Sequence, residues 1–176
     1  LMDIMKKGKV SDFELPFTSI DVRAQGQGIF FDFILDQAGL PITERMNLNI
    51  LVVDIGFNTV DILGVVGGRP SREWSTMLDR GGISRIGEQV GSFLQRELNF
   101  ELPEQALKDV LQKKKIALYG LVRDVSWPIR KASEEYALWL FNEIRNRWSD
   151  FLKKADLLIL AGGGAYYVQD EFTAAY

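Results

Sequence analysis

The chain has 176 residues and a formal net charge of -3, with 47% hydrophobic and 26% charged residues. This composition is typical of a globular protein and argues against disorder, a membrane-spanning class and a broad basic surface for nucleic acid. No apolar run reaches the ~18 residues of a transmembrane helix, and no signal peptide is visible. Cysteine and histidine are absent, so a metal ion would need oxygen ligands. We expect a cytoplasmic protein that contacts neither membranes nor nucleic acid directly.

The first part of the sequence predicts strand material followed by a short helix. Residues 1–10 are typical of a helix end and a polar turn, and they begin with Leu, which indicates a fragment. Alternating apolar residues over 12–23 predict a strand that a proline bends. Residues 24–28 break this strand, and the apolar segment 29–35 predicts a short buried helix that the next glycine and proline end.

Two β-branched, apolar runs at 49–53 and 60–66 flank a short polar turn and predict a hairpin of buried strands. The turn and its flanks contain two acids, one glycine and two residues with side-chain donors. These residues are Asp54, Gly56, Asn58, Thr59 and Asp61.

The chemistry of this turn suits a phosphate group. Gly56 lets the backbone approach a ligand closely, successive turn N–H groups can face an anion, and Asn58 and Thr59 add donors. Asp54, at the end of a buried strand, is placed to hold a magnesium-bound water. The alternative is a plain hairpin in which Asp54 and Asp61 are turn formers.

The following segments predict a third antiparallel strand and then a helix. Residues 67–70 form a turn, and 73–79 form the strand. The pair Gly81 and Gly82 precedes a helical pattern that starts at Ile83. Free N–H groups at this helix start would meet a phosphate, or the pair is a flexible turn before a core helix.

The next part of the chain predicts a small irregular region and a long helix. A helix begins after Pro103 and ends at the lysines 113–115, and residues 116–125 read as a short strand or hairpin. A long helix is expected over 129–154, with one apolar stripe facing the sheet. Three tryptophans are predicted to pack in the core or between domains: Trp127, Trp139 and Trp148.

A second glycine-rich turn lies near the end of the sequence. The apolar run 157–160 predicts a buried strand that leads into Gly162, Gly163 and Gly164 and then a final helix. Such a loop admits a flat ring or a phosphate against bare backbone. The sequence therefore contains two candidate ligand-binding turns, each following a buried strand.

Together, residues 54–61 and 161–165 resemble the motifs of the actin-like ATPases, most closely the ParM-type plasmid-segregation actins. The resemblance extends from about residue 20 to about residue 168. It implies an α/β fold, namely an actin-like, ribonuclease H-like ATPase domain with a mixed sheet flanked by helices and a small inserted subdomain. It implies that 1–25 end a preceding domain, that 26–176 form the second nucleotide-binding domain, and that the insertion covers about 100–127.

The resemblance also implies a site for ATP and Mg. The turn at Gly56, Asn58 and Thr59 would grip the β- and γ-phosphates, the glycines 162–164 would cradle adenosine, and Asp54 would bind Mg through water. Gln25 or Gln27 stands where the family orients the attacking water, and Gln25 is the favoured candidate. By family position, Arg85 and Glu88 would reach the ribose.

The family carries a second phosphate loop in its first domain, and no matching motif precedes Asp54. The resemblance therefore implies an ATPase in the full-length protein, with this chain alone inactive and binding ATP weakly. The expected function is nucleotide-dependent self-association into filaments, with plasmid or DNA segregation as a role and an adaptor protein as a partner. The alternatives are a sugar or metabolite kinase of the same superfamily and a non-catalytic nucleotide-binding scaffold.

Overall fold

The structure, a computed structural model, describes residues 7–10, 13–16 and 25–175. It contains a four-stranded mixed sheet, two separate two-stranded hairpins and six α-helices among those residues. The strands are β1 (Lys7–Val10), β2 (Phe13–Pro16), β3 (Ile50–Ile55), β4 (Val60–Val66), β5 (Arg69–Leu78), β6 (Lys115–Leu118), β7 (Leu121–Asp124) and β8 (Leu157–Ala161). The helices are α1 (Gln25–Ile34), α2 (Ser84–Leu98), α3 (Glu104–Lys113), α4 (Ser126–Arg147), α5 (Ser149–Leu152) and α6 (Gln169–Ala175).

The central sheet has the order β5-β4-β3-β8. Its first three strands form an antiparallel meander, whereas β8 lies parallel to β3 with Val53 opposite Leu160. The two candidate turns follow β3 and β8, and parallel strands end at the same edge of a sheet. The prediction that 50–53 and 157–160 share one sheet is therefore confirmed.

Helices cover both faces of the sheet. This cover accounts for the burial of all six residues of β3, five of which are apolar. Leu51, Val53 and Ile55 face the larger core, together with α2 and α4. Ile50 and Val52 point to the opposite face, where they pack with Phe30 and Ile34 of α1. Because side chains alternate along a strand, Asp54 belongs to the α1 face.

Two predicted elements near the N-terminus differ from the structure. Residues 7–10 form β1 rather than a polar turn, and they pair with β2. Helix α1 begins at Gln25, so residues 25–28 extend the helix instead of breaking a strand; Gly26 allows this, since a Cβ there would lie 3.1 Å from Leu63. The strand expected over 17–23 lies outside the described residues, and the domain division at residue 25 stays a prediction.

The later corrections concern strand and helix ends. Strand β5 starts at Arg69, so only Gly67 and Gly68, both with positive φ, form the turn before it. The long helix stops at Arg147 because Trp148 leaves helical geometry; its indole N–H donates to the Trp74 carbonyl of β5 at 3.0 Å.

The three tryptophans do not share one environment. Trp148 is buried in the core and Trp139 packs against that core. Trp127 is 53% exposed and therefore lies outside the core, so for this residue packing between domains stays a prediction. It lies in the first turn of α4, with its ring on Phe93 of α2 at 5.7 Å.

The small region before α4 consists of helix α3 and the hairpin β6–β7. Tyr119 and Gly120 join the two strands, and both have positive φ, the geometry of a tight two-residue hairpin turn. The predicted short helix and hairpin are present, and their status as an inserted subdomain stays a prediction. Within the described residues, no helix combines the length and the apolar character needed to cross a membrane.

Candidate active site

Asp54 is the polar residue at the centre of the candidate site. Strand pairing places it beside Asp61 of β4 and Ala161 of β8. Its exposed fraction is only 3%, and its Oδ2 has no hydrogen-bond partner among the described residues. A buried carboxylate oxygen without a partner costs free energy unless something binds it. Asp54 therefore has an oxygen that is free to accept a hydrogen bond or to bind a ligand.

The electrostatics of Asp54 follow from this position. Burial raises the pKa of its carboxyl, and the neighbouring charge of Asp61 raises that pKa further. A polar contact from the side chain of Gln25 lowers the same pKa in part. A positive charge or a further donor at this position would stabilise the ionised form.

The turn after β3 is held by the chain segment that precedes α2. The carbonyl groups of residues 56–58 in this turn each accept a hydrogen bond from one backbone N–H of residues 82–84. The bonds are Gly82 N–H to Asn58 O at 3.0 Å, Ile83 N–H to Gly56 O at 3.1 Å, and Ser84 N–H to Phe57 O at 2.8 Å. The turn is therefore fixed by a tertiary contact in addition to its own Gly56 N–H to Thr59 O bond of 2.9 Å.

These bonds also set the direction of the turn N–H groups. A trans peptide plane points its N–H opposite to its C=O, so the N–H groups of Phe57, Asn58 and Thr59 face away from the 82–84 segment. None of the three has a backbone partner among the described residues. Three adjacent free donors form a concavity that suits an anion.

The glycine loop after β8 packs directly against the end of β3. Gly162 has φ +79, and a Cβ there would collide with Asp54 Oδ1 and lie 2.5 Å from the Ile55 carbonyl oxygen. Gly164 donates its N–H to that same carbonyl at 2.9 Å. A Cβ placed at Gly163 would meet no atom of the described residues within 4 Å, so this part of the loop is open to a ligand.

A cleft of about 220 Å³ connects the two turns, and α3 forms its outer wall. Its lining includes Gly56, Gly163 and Tyr167, together with Lys108 and Gln112 of α3. The sequence reasoning did not identify these two α3 residues. Their spacing of four residues, which puts both on one helix face beside a buried leucine, was the available signal.

The other predicted residues lie around this centre with different contacts. The N–H groups of the 82–84 segment are not free, because the turn carbonyls already accept them, so this segment supports the turn instead of offering donors to a phosphate. Glu88 is exposed and lines a separate groove of about 780 Å³ between α2 and α4. Arg85 stacks on Trp139, with its guanidinium carbon 4.0 Å from the ring centre. Gln27 is half-buried on α1.

The acids at this edge suit magnesium held largely through water. The described residues contain no group of three or more acidic side chains that would form a complete cage. Mg²⁺ usually keeps several waters and takes one or two carboxylates from the protein. Asp54, with its unpartnered oxygen, and Asp61 beside it fit that arrangement, and the oxygen-only donor set agrees with it.

Comparison with known protein families identifies the origin of this architecture. The family described as archaeal actin homologue MreB-like, C-terminal, matches residues 52–174. The chain belongs to this family of actin homologues. Its match covers β3, both glycine turns and the helices between them, so the predicted actin-like relationship is confirmed. A comparison with curated proteins gives no match.

Solved structures confirm the actin-like fold of this actin homologue. The archaeal actin homologue Ta0583 in complex with ADP superposes with a TM-score of 0.73 at 19% identity, over 92% of this chain and 51% of that one. A 15-stranded ParM filament from Clostridium botulinum gives 0.72 and 21%, over 99% and 54%. A non-polymerisable mutant of pCBH ParM gives 0.72 and 20%, over 93% and 51%. The chain spans about half the length of these relatives.

Proposed function

We propose that the full-length protein binds ATP with magnesium at the edge formed by the two turns and hydrolyses it. The observation that carries this proposal is the buried, unpartnered Oδ2 of Asp54 beside three outward-facing turn N–H groups. A metal-bound water and a phosphate would satisfy both features at once. The ADP named for the Ta0583 neighbour supports a nucleotide as the ligand.

Each part of the site would contribute a distinct interaction. The N–H groups of residues 57–59, with the side chains of Asn58 and Thr59, would bind phosphate oxygens. The open backbone at Gly163 would lie against the nucleoside, with Lys108 and Gln112 across the cleft. Asp54 and Asp61 would hold Mg²⁺, which neutralises the charge that develops on the phosphates during transfer.

Gln25 would position the water that attacks the terminal phosphate. It begins α1, and its side chain influences the pKa of the Asp54 carboxyl, which supports a position near the metal-binding edge. An oriented water and charge neutralisation are the main requirements of phosphoryl transfer, which needs little covalent chemistry from the protein. Water attack would yield ADP and inorganic phosphate.

We propose further that subunits of the full-length protein associate head to tail into filaments when ATP is bound. A heterologous interface that does not close generates an open helical assembly. The filament named for the Clostridium botulinum relative supports this assembly. Plasmid or DNA segregation, an adaptor protein and a cytoplasmic location remain predictions from the sequence.

The test compares Asp54→Ala with wild type in the full-length protein, with Asp150→Ala as control. Asp150 is an exposed carboxylate paired with Lys153 at 2.7 Å, remote from the turns. We expect ATP turnover to fall at least about 100-fold in Asp54→Ala and to stay unchanged in the control. Sedimentation with ATP and magnesium should pellet wild-type polymer.

Other outcomes reject the proposal in distinguishable ways. Unchanged turnover in Asp54→Ala removes Asp54 from the mechanism. A soluble monomer that phosphorylates a sugar identifies a kinase. Nucleotide binding without turnover or polymer identifies a scaffold.

A further inference from the structure

We infer that Tyr136 of α4 is a positioning residue that sets the geometry of the phosphate-binding turn, although it does not touch the ligand. This inference rests on the proposed function. Tyr136 lies 75 or more residues after this turn in the sequence. The connection runs through a single backbone carbonyl, that of Gly81.

The first step is a buried hydrogen bond. The hydroxyl of Tyr136 donates to the Gly81 carbonyl oxygen at 2.7 Å, and the Tyr136 side chain is 2% exposed. Gly81 is also buried, and water therefore cannot replace the bond. Burial raises the pKa of the Tyr136 hydroxyl, so it remains a neutral donor over the whole working range of pH.

The second step leads from Gly81 to the turn. Gly81 immediately precedes the three N–H groups that fix the turn carbonyls. Gly82 lies so close to the turn that a Cβ there would overlap the Phe57 carbonyl oxygen and lie 2.6 Å from that of Gly56. With packing this tight, a displacement of the glycine pair moves the turn as well.

A second contact comes from the same helix. Trp139, three residues after Tyr136, lies beneath the guanidinium of Arg85, with 4.0 Å between the guanidinium carbon and the ring centre. Arg85 directly follows the segment that binds the turn. Helix α4 thus holds this segment at both ends, at Gly81 by a hydrogen bond and at Arg85 by a cation–π contact.

The consequence concerns the direction of the phosphate donors. The N–H groups of residues 57–59 point outward only while the carbonyl groups of residues 56–58, which share their peptide planes, remain bonded to the 82–84 segment. Small displacements of such donors weaken binding and transition-state contacts strongly. Loss of the Tyr136 hydroxyl should therefore act on nucleotide binding more than on the fold.

The test uses Tyr136→Phe in the full-length protein, with Trp148→Phe as the matched control. Trp148 also donates from a buried side chain to a backbone carbonyl, at Trp74, but this bond lies away from the turns. The readouts are hydrogen exchange at the amides of 82–84, normalised to exchange at Leu51 in the sheet core, and the affinity for Mg·ATP.

We expect Tyr136→Phe to speed normalised exchange at 82–84 and to weaken Mg·ATP binding, each by about tenfold, the factor that corresponds to roughly 1.4 kcal/mol. The control should lose global stability without either change. Normalisation to Leu51 separates a local effect from any general destabilisation by the substitution.

The experiment distinguishes failure of the inference about Tyr136 from failure of the proposed function. If wild type binds Mg·ATP and Tyr136→Phe matches it in affinity and in normalised exchange, the inference about Tyr136 is overturned while the proposed function stands. If wild type binds no nucleotide, the proposed function fails and the inference fails with it.

Discussion

Two of the β-hairpins in the described part of the chain, β3–β4 and β6–β7, differ in how their turns are held. In the hairpin β3–β4, the strands are buried and a second chain segment binds the turn carbonyls. In the hairpin β6–β7, the turn is only Tyr119 and Gly120, and Tyr119 is 87% exposed. The first hairpin depends on tertiary contacts, whereas the second follows local turn geometry alone.

The two turns differ in whether their backbone polar groups have hydrogen-bond partners. The β6–β7 turn satisfies its backbone locally, which is what a two-residue turn with positive φ does. The β3–β4 turn instead leaves three N–H groups and one carboxylate oxygen without partners in the part of the chain that the structure describes, although neighbouring segments fix its position. Unsatisfied polar groups in a rigid, tightly packed environment are a sign of ligand binding.

The largest expected effect comes from adding one methyl group at matched glycines. Gly162, beside the first hairpin, and Gly120, in the second, have nearly equal φ of +79 and +76. A Cβ at Gly162 would collide with Asp54, but one at Gly120 would meet no atom within 4 Å. We expect Gly162→Ala to lower the free energy of unfolding by roughly 3 kcal/mol and Gly120→Ala by about 1 kcal/mol. Denaturant unfolding measures both.

Equal losses for the two alanine variants would contradict this comparison. They would mean that backbone strain alone determines the cost and that the glycine loop does not pack closely on Asp54. Full nucleotide affinity in a folded Gly162→Ala protein would separately exclude the loop from the site.

A smaller effect should appear in the pH dependence of stability. The pKa of Asp54 is raised in the folded protein, so the folded state binds more protons and the carboxyl destabilises it as pH rises above the usual 3.8. Asp54→Asn should therefore raise the free energy of unfolding at pH 7 by on the order of 1 kcal/mol without ligand. The gain in the free energy of unfolding should vanish below pH 3.8. The Asp54 carboxyl of the wild type is then protonated and neutral, like the amide that replaces it in the variant.

Asp124, which ends the second hairpin, provides the control of opposite sign. The backbone N–H and the hydroxyl of Ser126 donate to its carboxyl and lower its pKa. The ionised Asp124 carboxyl stabilises the folded protein above its usual pKa of 3.8, and this stabilisation is lost as the pH falls through the lowered pKa of the folded state. Asp124→Asn should destabilise the protein at pH 7. If Asp54→Asn and Asp124→Asn changed the free energy of unfolding at pH 7 in the same direction, the opposite pKa shifts assigned to the two carboxyls would be contradicted.

The sequence predicts the strongly periodic elements well. The apolar runs of β3, β4 and β8 and the stripe of α4 follow directly from side-chain alternation and helical spacing. The two turn motifs carry the resemblance to the actin-like ATPases, and the family match over residues 52–174 confirms that relationship.

Other features depend on contacts between distant segments and therefore escape sequence reasoning. The glycines at the start of α1 predict a break, but both lie in the helix, where Gly26 packs closely on Leu63. The bond from Trp148 to Trp74 ends α4 early. The hydrogen bonds of Gly82 and Ser84 to the turn, and of Tyr136 to Gly81, join residues whose proximity no local pattern encodes.

The most direct test of the central claim is hydrogen exchange in the full-length protein with and without Mg·ATP at saturation. If the turn after β3 binds phosphate, exchange at the amides of Phe57, Asn58 and Thr59 should slow by at least about tenfold, since each donor gains an acceptor. The amides of Tyr119 and Gly120 should exchange at an unchanged rate. Exchange at residues 57–59 that stays unchanged, while nucleotide is bound, would contradict the account.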